Sequence, residues 1–208
     1  MDFSMPRAQV IALLADAMEV PEQRRSALLG RFQHLQRLAL VEGINPGRGK
    51  AAEYRPHQIL IIAIAFQMLQ LGLTPERAVQ VIKQDQDRVR LAMGLAVNET
   101  GTITPALLWF DPSILTRSQE GSGIDDLAEA TFDYGGAGSG VDVFKWLFVE
   151  GWVQRMAFVS ISGTLWHIVA ALEGHFASAE RPTLGGKSLL FLEGLKDWFE
   201  NSTPDSLA

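Results

Sequence analysis

The apolar stretch from Ile59 to Leu71 is the strongest constraint on what this chain can fold into. Only Gln67 and Gln70 interrupt it, and the run is shorter than the roughly 18 residues that a membrane-spanning helix needs. Its apolar residues surround the axis of a helix almost completely, which predicts a helix enclosed by other elements. Gly72 suits the position directly after its last turn. The sequence therefore predicts a helix-rich protein built around this segment.

Three further helices are predicted around this central helix. The first runs from Met5 to Met18. The second runs from Pro21 to about Leu40, and Pro21 separates the two because proline disfavours helix in the residue before it. After the central helix, Thr74-Pro75-Glu76 supplies a cap, a proline for the first position and an acid in the first turn of a helix that reaches about Met93. Two helices joined by a short turn can form a helix-turn-helix.

A glycine-rich and basic segment lies between the second and the central helix. Its glycines, proline and asparagine disfavour a helix, so it predicts a hairpin with the basic tip Gly47-Arg48-Gly49-Lys50, flanked by short strands at Ile44 and Tyr54. The order helix, helix, basic hairpin, helix is that of a winged helix-turn-helix. A recognition helix over about residues 22–40 could enter a major groove while the hairpin, residues 43–55, lies along the phosphates.

Charge is distributed unevenly along the chain, whose formal net charge is −6. Residues 1–94 hold 12 Lys and Arg against nine Asp and Glu, whereas residues 95–208 hold six against 15. Between residues 24 and 55, seven basic residues stand against two glutamates. A basic segment beside an acidic remainder is typical of some nucleic-acid-binding proteins. A solvated helix face is the alternative that this charge pattern leaves open.

The composition changes near residue 95. Fourteen of the 18 aromatic residues, including all five tryptophans, lie beyond residue 94. We predict strands within 102–110 and 155–162, helices over 142–154, 163–175 and 189–200, and a glycine-rich loop over 135–140. The expected fold class is helix-rich α+β. Residues 1–94 are expected to form the winged helix-turn-helix DNA-binding domain, and residues 95–208 an acidic, aromatic-rich region for dimerisation or sensing.

No constellation in the sequence points to catalysis. The chain has no cysteine, and the four histidines lack the spacing of a helical metal-ligand pair. Gly185-Gly-Lys187-Ser188 has the ending of a phosphate-binding loop, but Arg181 stands where that motif needs its first glycine. No signal peptide is evident at the start of the sequence. We therefore expect a cytoplasmic protein that is not an enzyme and binds no metal or cofactor.

Three features together resemble the DNA-binding domain of MerR-type transcription regulators, over about residues 5–90. They are the stretch from Arg31 to Gly43, the basic tip followed by Tyr54, and the turn Gly72-Leu-Thr-Pro-Glu76 after an apolar helix. The resemblance implies a winged helix that binds double-stranded DNA. We expect a nucleoid-associated homodimer that reads a palindromic site. The resemblance does not extend to metal or drug sensing, which we do not expect of this chain on this basis.

The residues expected to bind DNA carry basic or polar side chains on the recognition helix or the hairpin. They are Arg24, Arg25, Arg31, Gln33, His34, Arg37, Arg48, Lys50, Tyr54 and Arg55. Arg31 and His34 are expected to face the groove, and Arg48 and Lys50 the phosphates. Alternatively, Tyr54 is a core residue whose hydroxyl forms a hydrogen bond inside the protein.

A second function from another class stays open. The aromatic residues of the C-terminal region, among them Trp146, Trp152 and Trp166, could line a plain core, a ligand pocket or a partner surface. The chain would then be a non-enzymatic protein–protein adaptor, and its basic segment would be only a solvated face. A small-molecule effector or a protein partner in this region is compatible with either function.

Overall fold

A computed structural model describes residues 3–41, 44, 52–97, 103–110, 136–149, 156–174 and 184–201. Within these ranges the chain folds as a helix-rich α+β protein with two small antiparallel sheets. The helices are α1 (Arg7–Ala17), α2 (Arg25–Arg37), α3 (Pro56–Gln70), α4 (Pro75–Gln84), α5 (Gln86–Ala96), α6 (Gly140–Val149), α7 (Ile161–Leu172) and α8 (Gly186–Asn201). The strands are β1 (Met5–Pro6), β2 (Glu53–Tyr54), β3 (Leu107–Phe110), β4 (Gly136–Gly138) and β5 (Ala157–Ser160).

Helix α3 is the centre of the core, as its apolar sequence predicts. Every side chain from Ile59 to Phe66 is at most 3% exposed, because α4, α7 and α8 pack around the helix. Gly72 follows it with φ +98°, a left-handed conformation that residues with a Cβ rarely adopt. Truncating one buried isoleucine of α3 to alanine should cost about 2–5 kcal/mol of stability.

The N-terminal and C-terminal regions share one hydrophobic core. Helix α1 packs against α7, and α3 packs against both α7 and α8. A single cluster of buried side chains extends from Val10 in α1 to Leu195 in α8. The change in composition near residue 95 therefore does not separate two cores, and the expected regions 1–94 and 95–208 are packed together.

The predicted second and fourth helices differ in detail from the observed ones. A short 3-10 turn, Glu22–Arg24, leads into α2, so the helix proper starts later than Pro21. The helix predicted from Pro75 to Met93 is two helices, α4 and α5, because Asp85 leaves the helical conformation at φ −120° and ψ 46°. The Thr74 cap is confirmed, since its hydroxyl accepts a hydrogen bond from the backbone N–H of Arg77.

Strand β2 pairs with the N-terminus of the chain. Met5 lies opposite Tyr54 and Pro6 opposite Glu53 in an antiparallel ladder. The strand expected at Tyr54 is therefore present, whereas Ile44 is buried but not in a strand. The tip that carries Arg48 and Lys50 lies outside the described residues.

Three strands form the second sheet in the order β4-β3-β5. The predicted strands near 102–110 and 155–162 are confirmed as the shorter β3 and β5. The glycine-rich loop prediction is wrong for Gly136–Gly138, which form β4. Gly136 lies opposite Trp109, and a Cβ on it would come within 2.3 Å of the indole ring. Glycine is needed there because a buried tryptophan covers the strand.

In the part of the chain that the structure describes, no helix has both the length and the apolar character needed to cross a membrane.

Candidate nucleic-acid interface

Helix α2 presents one apolar and one polar face. Leu28, Phe32 and Leu35 are buried, and they pack the helix against α1 and α4. Ser26, Gly30, Gln33 and Arg37 follow one another at helical spacing on the opposite side, and all four are exposed. This outward face of α2 contains no Asp or Glu between Arg25 and Arg37.

Three arginines of this segment have guanidinium groups that no described residue binds. Arg24, Arg31 and Arg37 are exposed, and they make no hydrogen bond or ion pair with the described residues. Arg25 differs, because its Nη2 lies 2.7 Å from Oδ1 of Asp16 in α1. Exposed arginines without a protein partner can bind phosphate or guanine in two-pronged contacts without first breaking an ion pair.

His34 binds the neighbouring helix rather than pointing freely outwards. Its Nε2 lies 2.9 Å from Oε1 of Glu76, at the start of α4. The pKa of the Glu76 carboxyl is lowered mainly by a hydrogen bond from the backbone N–H of Glu76 itself, with further contributions from Thr74 and His34. The His34–Glu76 contact thus fastens α2 to α4, and His34 would have to leave it before donating Nε2–H to DNA.

Tyr54, one of the residues expected to bind DNA, lies in the core, which is the alternative position that the sequence left open for it. Its side chain is 0% exposed, and its ring centroid lies 5.9 Å from that of Phe32. The hydroxyl accepts a hydrogen bond from Nε2 of Gln36, and burial raises the pKa of the phenol. Tyr54 instead holds β2 against the inner side of α2, since an aromatic ring with a satisfied hydroxyl is stable in a core.

The other expected site residues are placed as follows. Gln33 is exposed on the outward face of α2, and Arg55 is exposed at the junction of β2 and α3. The backbone N–H of Arg55 donates to Oε1 of Gln58, which caps the start of α3. The described part of the site therefore consists of α2 and Arg55, while Arg48 and Lys50 lie outside it.

A buried arginine beside this surface was not identified from the sequence. Arg77, in the first turn of α4, is 5% exposed. Its Nη1 donates to Oε1 of Gln80 at 2.8 Å, but its Nε and Nη2 are buried without a hydrogen-bond partner among the described residues. Burial lowers the pKa of Arg77. The helical spacing of Arg77 with the buried Ala78 and Val81 was the one signal that could have placed it inside.

The described residues do not offer a metal or phosphate site of the kinds considered from the sequence. No three His, Asp or Glu side chains among them come together around a point where a metal ion could bind. At the start of α8, the Ser188 hydroxyl donates to the Gly185 carbonyl, and the Ser188 backbone N–H donates to Oε1 of Glu173. A carboxylate thus occupies the helix start that a phosphate would need.

Comparisons with protein-family models, with curated proteins and with solved structures find no match to this chain.

Proposed function

We propose that this protein is a sequence-specific regulator of transcription that binds double-stranded DNA through α2. The observation that carries the proposal is that α2 presents the exposed Arg37 on its outward face and the exposed Arg31 at the flank of the helix, and neither arginine forms an ion pair or hydrogen bond with a described residue. DNA presents closely spaced phosphates and guanine edges, which are the groups that arginine binds best. Gln33 lies between these arginines in sequence and can pair with adenine.

The dimensions and support of α2 favour this role. Its 13 residues give a helix about 20 Å long, and a B-DNA major groove admits an α-helix. Helices α1 and α4 pack against the buried face of α2 and hold it in place. The Tyr54–Gln36 hydrogen bond also attaches β2 to α2. A rigid helix loses little conformational entropy on binding, which favours affinity.

The basic segment over residues 43–55, predicted from the sequence to form a hairpin, is the second part of the proposed interface. The pairing of β1 with β2 holds the end of this segment close to the start of α1. Arg55 follows directly and is exposed. We propose that Arg48 and Lys50 contact phosphates beside the groove that α2 enters. The acidic remainder of the chain, with six basic and 15 acidic residues beyond residue 94, would repel DNA from the other surfaces. A cytoplasmic, nucleoid-associated homodimer on a palindromic site belongs to the same proposal.

The proposal predicts that neutralising two arginines of α2 weakens DNA binding. Fluorescence anisotropy with a mixed pool of labelled duplexes, at about 50 and 200 mM salt, would compare wild type with Arg31→Gln/Arg37→Gln. We expect at least tenfold weaker binding and a log–log salt slope reduced by roughly 2, since each lost phosphate contact removes about 0.9.

A matched control removes the same charge elsewhere. Lys145 and Lys187 are exposed on α6 and α8, and Lys145→Gln/Lys187→Gln lowers the net charge by the same amount. This control should bind DNA like wild type. Equal weakening of both double variants would mean that only net charge matters. No binding by the folded wild type at the lower salt would contradict the proposal.

The second candidate function is the protein–protein adaptor. It is favoured by α6, where Val141 is 63% and Phe144 62% exposed, because exposed apolar groups often mark partner surfaces. The tryptophans favour it less, since Trp109 is buried and Trp166 and Trp198 are mostly buried, while the side chains of Trp146 and Trp152 lie outside the described residues. The adaptor predicts no DNA binding at low salt.

A further inference from the structure

A groove lies where the C-terminal end of α3 meets β5 and α7. It has a volume of about 410 Å³ and is lined on one side by Gln67, Gln70 and Leu71. Phe158 and Val159 of β5 and His167 of α7 line the rest of it. This volume lies within the range of small-molecule sites. The groove is on different residues from the proposed DNA interface.

The polar side chains around the groove have unused hydrogen-bonding groups. Gln67, Gln70 and His167 make no hydrogen bond with the described residues. The two hydroxyls of the lining, by contrast, already form hydrogen bonds. The Ser160 hydroxyl accepts one from the Gly163 N–H, and the Thr164 hydroxyl donates one to the Ser160 carbonyl. Two carboxamides and one imidazole are therefore the groups available to a ligand, and together they offer both donors and acceptors.

The apolar part of the groove includes an exposed aromatic ring. Phe158 is 40% exposed and Leu71 is 45% exposed, although both types of side chain are usually more buried. The buried Val159 lies between Phe158 and Ser160 along β5. An open ring beside free amides suits a flat ligand that stacks on one side and forms hydrogen bonds at its edge.

The uncharged character of the described lining residues favours an uncharged ligand. Among the described residues, no Asp, Glu, Lys or Arg lines the groove, so a charged group placed in it would lose hydration without gaining a counter-charge from them. A glutamine carboxamide has a coplanar donor and acceptor that match the edge of a nucleobase. Aromatic side chains supply the stacking surface that bases use in proteins.

From these contacts we infer that the groove binds an uncharged planar heterocycle of the nucleobase class, stacked on Phe158 and hydrogen-bonded by Gln67 and Gln70. The sugar of a nucleoside or the backbone of a single strand would lie towards solvent. The chemistry is the same for a free nucleoside and for an unpaired base in a strand, so the experiment separates these two sources.

The test is isothermal titration calorimetry of the full chain with three probes at millimolar concentration: adenosine, uridine and a four-nucleotide deoxyadenosine strand. Wild type is compared with Phe158→Ala and Gln70→Ala, whose side chains are exposed, so that both variants should fold. Gln9→Ala on α1, which removes an exposed glutamine outside the groove and outside the proposed DNA interface, is the matched control. We expect saturable binding by wild type and by the control. Phe158→Ala should bind at least tenfold more weakly, as losing a base stack commonly costs that much, and Gln70→Ala, which loses a hydrogen bond, should bind about severalfold more weakly.

Each outcome decides the inference. Binding of a nucleoside that the two groove variants weaken supports a free nucleoside as the ligand. Binding of the strand alone, weakened by the same variants, supports a base within single-stranded nucleic acid. Absence of binding by all three probes overturns the inference. Binding that Phe158→Ala and Gln70→Ala leave unchanged also overturns it, because the probes would then bind elsewhere.

Discussion

At the scale of single residues, Arg77 is the clearest departure from what a stable core favours. Two of its guanidinium nitrogens are buried without a hydrogen-bond partner in the described part of the chain, and such unsatisfied donors cost about 1–3 kcal/mol of stability, or more when they are charged. Arg77→Met keeps much of the volume and removes the buried charge. We expect this variant to be more stable than wild type by about 1–3 kcal/mol in urea unfolding. Lys83→Met on the same helix serves as the control. A destabilised Arg77→Met would show that the guanidinium is satisfied in the folded protein.

His57 makes the stability of the fold depend on pH. Its ring stacks on Trp198 with centroids 4.7 Å apart and planes at 6°, and its Nδ1 is buried and accepts or donates no hydrogen bond with any residue that the structure describes. Burial, helped by the nearby Arg55, lowers the pKa of His57 to about 4. Unfolded histidine titrates near 6.5, so between these values the unfolded state binds more protons, and stability falls as the pH falls.

The expected slope of this effect reaches about 1.4 kcal/mol per pH unit. Urea unfolding at about pH 7.5, 6.5, 5.5 and 4.5, which spans most of the interval between the two pKa values, would measure this slope. His57→Phe keeps the stacked ring and removes the titrating group, so its stability should fall less than that of wild type over this interval. Parallel curves for the two proteins would mean that His57 is not the source.

At the scale of elements, local signals were sufficient for helices but not for strand pairing. The apolar run of α3, the Gly72 stop and the Thr74 cap are properties of adjacent residues, and the structure confirms all three. The pairing of β1 with β2 joins residues almost 50 positions apart, and two-residue strands have no periodicity to detect. Strand β4 is not predicted from the sequence because the glycine at position 136 is explained by the ring of Trp109, which comes from another part of the chain.

The same distinction applies to the candidate interface. The 3.6-residue period separates Leu28 and Phe32 from Gln33 and Arg37, and the structure confirms that the first pair is buried and the second exposed. The burial of Tyr54 depends on contacts with α2, which sequence spacing does not reveal.

Gly30 provides a prediction for α2 as an element. It lies on the outward face of the helix, and a Cβ built on it meets no atom within 4 Å. The fold therefore does not require glycine there, and Gly30→Ala should raise stability by about 0.5–1 kcal/mol. If DNA approaches this face closely, the added methyl group should weaken duplex binding while the melting temperature rises. A rise in melting temperature without any loss of affinity would place Gly30 outside the contact.

At the scale of the whole molecule, the shared core determines what can fold alone. Helix α3 belongs to the N-terminal region, but α7 and α8 of the C-terminal region cover part of its surface. The buried Ile168 and Leu192 belong to the same cluster as Ile61 and Ile64. A fragment ending at residue 94 would expose this part of α3, and exposure of several large apolar side chains costs roughly 1.5–3 kcal/mol each.

The summed loss for several such side chains is comparable to the total stability of an ordinary domain, which is about 5–15 kcal/mol. We therefore expect the fragment of residues 1–94 to lack a cooperative thermal transition by circular dichroism, whereas the full chain unfolds in one. DNA binding through α2 would then require the C-terminal region for folding, even though that region is acidic. A fragment that melts cooperatively and binds duplexes like the full chain would instead establish an independent N-terminal domain, and the contacts of α3 with α7 and α8 would be a docking interface between two units.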